Sequence, residues 1–514
     1  MLKRVLKSIS AIFAGQMVNI VGNLLLVPLF LSHWPVDVYG EWMALSAVVA
    51  YFGVTDLGMN SAAANAMTAA YARGDLDRFH YVQGSAMAFY VGAAIGLSLL
   101  FGLVTALLPI PVWIGIRHIP LGVAALSTWV LASTVLWQMP AWQLRGIYRS
   151  TGNLAATQWL WNLQAIGLLV VTVAVLQVHG GVLALALWGA SPLLVVTIWA
   201  WMSLRHSHPE LLPKLSEVRI VGVKELLGPS FFFGLIMLSM ALAVQGPVLM
   251  VSRRLGGAAV ALLITTRTLA NAVRQMVAPV QVALWPELTR LDAVGAEASL
   301  RIGHRLLMTT SVALSAAFAA TLWFEGAGII AVWTGSKLKP DIWLLRCFLS
   351  AIVLQAPWLA SSAFLIASNR HRRLAQSYLG SAIIALCAIA ILLRSYGLIA
   401  VPLGILIGEG LACYHFVIKD ACLAFKEDYV RFAVRLWFGV GTTSIAAWCG
   451  GYIGHSFAIG PAPVRWIEVG ALTTMAAALT TWCLALRKDD RSRLTGWGKA
   501  HWSAFQLAGA ELGD

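Results

Sequence analysis

Between residues 10 and 486 the sequence is cut by polar and basic breaks into fourteen apolar runs, each of 18 residues or more. They lie near 10–31, 42–62, 83–108, 121–141, 157–177, 181–201, 226–252, 258–281, 306–333, 342–366, 376–393, 397–418, 432–454 and 464–486. At about 1.5 Å per residue, a helix of this length crosses the ~30 Å hydrocarbon core of a bilayer. Of the 514 residues, 59% are hydrophobic and 11% charged, which in water would leave a very large apolar surface exposed. The sequence therefore predicts an all-α polytopic membrane protein with about 14 transmembrane helices.

Lys and Arg near helix ends are retained on the cytoplasmic side of a membrane, so their distribution orients the chain. With the N-terminus inside, the cytoplasmic segments hold 26 of the 36 Lys and Arg, and the opposite segments hold 7. Both termini are expected in the cytoplasm. The same partition accounts for the net charge of +14. It is spread over short segments facing anionic lipid headgroups and is not gathered on a nucleic-acid-binding domain. Lys3, Arg4 and Lys7 before the first apolar run resemble a secretory signal, but the run is long and lacks a small-x-small cleavage site, so it is read as a retained helix. The six cysteines show no C-x-x-C spacing and no histidine at ligand spacing, so they read as packing residues. No metal and no cofactor are expected.

The chain also matches itself at a displacement of about 220 residues. Val112-Trp113-Ile114-Gly115 matches Val332-Trp333-Thr334-Gly335, Leu154-Ala155 matches Leu374-Ala375, and Pro28 and Pro247 agree within one residue. Spans 1–6 then correspond to spans 7–12 in the same orientation, a parallel repeat whose halves rock about a central substrate site. The predicted organisation is an N-lobe at 1–201, an inter-lobe loop at 202–225, a C-lobe at 226–420, two extra helices at 421–486 and a tail at 487–514.

Charges inside a membrane cost roughly 2.5–3.5 kcal/mol each on insertion scales, so they need a reason. In the eighth span, Arg267, Asn271, Arg274 and Gln281 fall on one helical stripe. Facing a cavity, that stripe offers cationic donors to an anion. Gln16, Asn19 and Asn23 form a stripe in the first span, and Gln245 precedes Pro247 in the seventh. These eight are the candidate substrate-binding residues. Asp56 and Asn60 in the second span, Glu325 in the ninth and Glu409 in the twelfth are candidates for gating or ion coupling. The repeat shift also places Asp56 near the depth of Arg274, which permits an ion pair. The same residue types serve equally to hydrogen-bond neighbouring helices. Trp34, Trp42, Trp113 and Trp333 fall at helix ends, where indole rings favour the membrane interface, and receive no site role.

Tyr39-Gly40-Glu41-Trp42 followed by Thr55-Asp56-Leu57-Gly58-Met59-Asn60 resembles the signature of bacterial polysaccharide-biosynthesis flippases, the O-antigen and exopolysaccharide exporters. Arg145-Gly146-Ile147-Tyr148, Trp285-Pro286-Glu287 and Ile329-Ile330-Ala331-Val332-Trp333-Thr334-Gly335 resemble further stretches of that family. It belongs to the multidrug/oligosaccharidyl-lipid/polysaccharide (MOP) exporter superfamily. The resemblance implies two six-helix lobes around a central cavity, alternating access, and a substrate of sugars joined through a diphosphate to a polyprenol. It also implies a bacterial inner membrane location and, as partners, a polysaccharide polymerase and chain-length machinery. A lipid II flippase or a cation/drug antiporter of the same superfamily is the alternative. An antiporter would favour carboxylates over the arginines of the eighth span, and a membrane glycosyltransferase would need acidic or His-rich loops that are absent here. No enzyme activity is expected.

Overall fold

The computed structural model describes residues 2–213, 220–293, 297–367, 371–458, 460–486 and 491. Among them the regular structure is helical. The first part comprises α1 (Leu2–His33), α2 (Val36–Ala50), α3 (Met59–Ala72), α4 (Leu76–Leu107), the single turn α5 (Ile110–Trp113), α6 (Leu121–Ser150), α7 (Leu154–Gln177), α8 (Val182–Gly189) and α9 (Ser191–Ser207). Three long helices follow: α10 (Ile220–Leu255), α11 (Gly257–Ala293) and α12 (Glu297–Trp333). Then come α13 (Ile342–Ala367), α14 (His371–Tyr396), α15 (Ala400–Glu409), α16 (His415–Ala424), α17 (Tyr429–Phe457) and α18 (Ala462–Thr480).

Ten helical stretches among the described residues are long and apolar enough to cross a membrane. One of them, Arg372–Ala424, runs for 53 residues, about 80 Å if straight and far more than one crossing needs. It turns at Gly397, whose φ of 54° is a left-handed conformation that glycine adopts without steric cost. Beyond the turn, Gly404 packs on Ile389 and Gly408 on Ser381 and Ala385, so the two arms run antiparallel. Side chains such as Leu99, Leu103, Leu107 and Ile391 point outward from their helices. In water these would be costly; in lipid they are ordinary.

The expected second span, 42–62, is not one helix. It breaks at a 3-10 turn over Tyr51–Asp56, followed by Leu57 and Gly58 in the left-handed region with φ of 49° and 74°. Gly53, Asp56 and Gly58 sit inside an apolar run, so hydropathy alone reads it as continuous. The structure instead caps a new helix there. The Asp56 carboxylate accepts from the Asn60 N–H at 3.2 Å at the start of α3.

By compactness the chain divides into two interleaved units. The first is Met1–Thr268 with Ile330–Asp341 and Tyr378–Gly408; the second is Leu269–Ile329 with Ile342–Ser377 and Glu409–Asp514. In the first unit, α3, α4 and α6 share a core of Met59, Met67, Phe79, Tyr90, Leu136 and Met139. A second core joins Phe30, Leu31, Tyr39, Leu45, Leu176 and Leu185. In the second unit, α12, α17 and α18 pack through the small residues Ala316, Ala320, Ala447 and Ala477.

The signature Tyr-Gly-Glu-Trp has a structural explanation within the first unit. The buried Glu41 carboxylate accepts the backbone N–H groups of Arg117, His118 and Ile119 at 2.8, 2.9 and 2.9 Å, and lies 2.9 Å from His118 Nδ1. One residue earlier, α2 meets the turn before α11 backbone to backbone, and the Asp37 carboxylate accepts from Ala258 N–H at 3.0 Å. A Cβ on Gly40 would lie 1.8 Å from the Gly257 carbonyl oxygen. Gly40→Val is therefore expected to force these helices apart and lower the thermal midpoint of the detergent-solubilised protein, at a cost of about 1–3 kcal/mol. An unchanged midpoint would show that the turn yields freely.

Candidate functional site

The stripe expected on the eighth span lies on α11. Arg267, Asn271 and Arg274 are all half-buried; the side chain of Gln281 lies outside the described residues. Arg267 donates through Nη1 to the Val244 carbonyl of α10 at 2.7 Å. Three residues on, Pro247 lacks the N–H that would otherwise reach the Ala243 carbonyl, the neighbour of this one. Part of this guanidinium therefore satisfies backbone polarity inside the bundle.

Arg274 belongs to a larger arrangement in the second unit. Its Nη2 donates to the Gln355 side-chain oxygen. Gln355 in turn donates through Nε2 to Glu409 at 2.8 Å, and Trp358 Nε1 donates to the other carboxylate oxygen at 3.2 Å. The Tyr414 hydroxyl faces the same carboxylate. Gln355 and Glu409 are buried. An isolated buried carboxylate is strongly disfavoured, so the donors and the Arg274 charge are what allow Glu409 to stand there.

Two backbone irregularities aim these groups. Pro357 lies inside α13 between Gln355 and Trp358, and a π-helical turn over Gly410–Tyr414 begins immediately after Glu409. π turns re-aim side chains and recur at functional sites. The result is a relay from a half-buried guanidinium through an amide to a buried carboxylate.

The remaining expected residues separate by location. Gln16, Asn19 and Asn23 are exposed along α1, and Gln245 is half-buried on α10. Asp56 accepts from the Tyr90 hydroxyl as well as from Asn60 N–H, and the Asn60 side-chain oxygen accepts from Gln143 at 3.2 Å. The hydrogen-bond partners of Asp56 thus lie in the first unit, and that of Arg274 lies in the second. Glu325 lies apart from the Glu409 network. Its oxygens meet His455 Nδ1 at 2.6 Å and Arg465 Nε at 2.9 Å, fastening α12 to α17 and α18.

Sequence reasoning missed several of these groups. Gln355 stands in an apolar run beside a proline, and that isolated amide was the available signal; nothing local announced Trp358 or the π turn. Arg145, which opens one of the family-like stretches, is buried. It stacks 4.8 Å over the Trp161 ring and donates to Gln164. Among the described residues no cluster of three metal-ligating side chains occurs.

No protein-family model and no curated protein sequence matches the chain. Solved structures do. A structure described as lipid II flippase MurJ in an inward closed conformation superposes with a TM-score of 0.70 at 12% identity, covering 92% of this chain and 98% of that one. An inward-facing multidrug resistance MATE family transporter of the MOP superfamily gives 0.64 at 14% identity, covering 83% and 96%. A MOP superfamily transporter from Pyrococcus furiosus gives 0.55 at 14%, covering 82% and 96%. At such identities the likeness concerns fold alone, but it extends over nearly the full length of each neighbour. The chain is a polytopic α-helical membrane protein with the fold of the MOP-superfamily transporters.

Proposed function

We propose that this protein is a flippase that moves a polyprenyl-diphosphate-linked oligosaccharide from the cytoplasmic to the periplasmic leaflet of a bacterial inner membrane. It does so by alternating access of two repeat-related lobes, with fourteen crossings and both termini cytoplasmic. The observation that carries this reading is the polar face of α11, where two arginines stand within a membrane-spanning fold. A diphosphate crossing hydrocarbon needs fixed positive charge, and a guanidinium presents a planar fork that matches phosphate oxygens. Asn271, Gln281, Gln245 and the Gln16, Asn19 and Asn23 stripe would supply neutral donors for sugar hydroxyls. Asp56 and Asn60 would hold the break in the second span as a hinge, and Glu325 would hold the extra helices.

In this scheme Glu409 couples binding to protonation. A proton on Glu409 removes the charge that engages Arg274 and frees the guanidinium for substrate, so affinity for the diphosphate rises as pH falls. Glu409→Gln, which keeps the size and loses the charge, is expected to leave affinity high and nearly independent of pH. Titrating a fluorescent polyprenyl-diphosphate sugar against both proteins across the pH range reads this directly. A variant that retains the wild-type slope removes Glu409 from the mechanism.

The family-level reading is tested by deleting the gene. The expected outcome is loss of surface polysaccharide with build-up of lipid-linked intermediate facing the cytoplasm, both restored by the intact gene. Normal surface polysaccharide together with accumulating lipid II would favour the peptidoglycan precursor as substrate. An unchanged envelope with altered drug sensitivity would favour the antiporter reading.

A further inference from the structure

A second feature of the second unit stands apart from the Glu409 network. Along α12, Arg301 and Arg305 are followed by Met308, Val312, Ala316 and Ala320; along α17, Arg431 and Arg435 are followed by Leu436, Val440 and Ser444. Most steps are of three or four residues, so each series keeps to one side of its helix. These two faces bound a groove with three adjoining chambers. The basic chamber is lined by Arg301, Arg305, Lys426 and Arg431. Arg305 also lines the next chamber, a narrow one of about 60 Å³, with Arg435, Met308, Val312 and Leu436. Val440 joins that chamber to a third of about 370 Å³, walled by Ala316, Ala320, Val353 and Leu354 and reaching Trp323 and Trp448.

The polarity of this groove runs one way, from cationic to apolar. Among the described residues, the basic end is surrounded by the five cations Arg301, Arg305, Lys426, Arg431 and Arg435 and the three carboxylates Glu297, Glu427 and Asp428. Arg305 pairs with Glu427 at 2.9 Å, Lys426 pairs with Glu297 at 2.7 Å, and Asp428 caps α17 by accepting from Arg431 N–H. Among the described residues these five cations and three carboxylates leave an excess of positive charge. Beyond Arg435 the walls are mostly alanine, valine and leucine, with Thr443, Ser350 and Ser444 as scattered hydroxyls, and the small residues on α12 are what leave the space. From Arg435 to Trp448 the helix advances about 20 Å, roughly the depth of one leaflet of a ~30 Å hydrocarbon core with its headgroup boundary. The third chamber, about 370 Å³, lies at the lower end of the ~300–1,000 Å³ typical of ligand sites.

We propose that this groove holds a resident anionic phospholipid of the cytoplasmic leaflet, its phosphate against Arg305 and Arg435 and one acyl chain between α12 and α17. The charge excess selects an acidic headgroup, since basic pockets between membrane helices attract such lipids. The apolar chambers admit hydrocarbon and exclude a free sugar phosphate. The site is separate from the stripe on α11 and stands whether or not the transported substrate is the one named above.

The test is native mass spectrometry of the full-length protein, delipidated in mild detergent and titrated separately with phosphatidylglycerol, phosphatidylcholine, inorganic phosphate and a polyprenyl phosphate. Phosphatidylglycerol is expected to be retained about tenfold more tightly than phosphatidylcholine. Arg435→Ala and Val440→Trp are each expected to abolish that preference, the first by removing charge and the second by filling the groove. Arg435 is exposed, so its truncation leaves the helix packing intact even if the tryptophan variant fails to fold. Equal retention of the two phospholipids, or a preference untouched by Arg435→Ala, overturns the proposal. So does displacement of the lipid by inorganic phosphate, which would leave an anion site only. Stronger retention of polyprenyl phosphate would overturn it as well, by assigning the groove to the transported lipid.

Discussion

Arg274→Ala is expected to cut export of the lipid-linked oligosaccharide by about 30-fold or more. The reason is twofold. In the proposed function the guanidinium is the donor offered to the diphosphate, and its loss also leaves Gln355 and the buried Glu409 without their cationic partner. Truncating one member of a buried, hydrogen-bonded charge network costs about 2–5 kcal/mol, and about 1.4 kcal/mol is a factor of ten. Arg274→Lys should recover only part of the activity, because an ammonium supplies a point charge without the second arm of the fork. The measurement is surface polysaccharide in a deletion strain carrying each variant, with membrane abundance of the protein as control. Full activity of Arg274→Ala at normal abundance would make the α11 arginines purely structural.

The second large effect is on folding. Glu41→Ala should leave three successive backbone N–H groups at Arg117, His118 and Ile119 without their acceptor. Ile119 is buried, whereas Arg117 and His118 are exposed and their N–H groups can turn to water; one buried donor left unpaired costs about 1–3 kcal/mol, a sizeable fraction of the 5–15 kcal/mol that holds a typical domain together. The variant is expected to disappear from the membrane fraction, and Glu41→Gln, which keeps one acceptor oxygen, to persist at reduced level. Normal accumulation of Glu41→Ala would mean that the 117–119 segment finds other partners.

How far the sequence reached is decided by which physical signal each feature leaves. Apolar runs marked the helices because lipid demands them, yet the helices outrun them. The run near 10–31 lies within Leu2–His33, and 306–333 lies within Glu297–Trp333. Hydropathy measures the thickness of hydrocarbon, and a helix continues into the interface at no such cost. The break at Tyr51–Asp56 was hidden because glycines and one aspartate barely alter a windowed average. The stripe on α11 was legible because helical periodicity places its members without knowledge of any other helix. Its partners were not. Arg274 and Gln355 are 81 residues apart and Gln355 and Glu409 are 54 apart, and such pairings are set by how helices pack. Glu41 shows the converse: its motif was visible as a resemblance, and only the structure explains it, through a loop 76–78 residues away.

The central claim is that the α11 arginines carry a diphosphate across the membrane. The most direct measurement reconstitutes the purified protein into liposomes holding a fluorescent polyprenyl-diphosphate oligosaccharide and follows its movement between leaflets. A membrane-impermeant quencher reports which leaflet the label occupies. The account predicts translocation by the wild type, none above empty liposomes for the Arg267→Ala/Arg274→Ala double variant, and inhibition of the wild type by excess unlabelled polyprenyl diphosphate. Equal translocation by wild type and double variant, with the same final distribution of label, would contradict it.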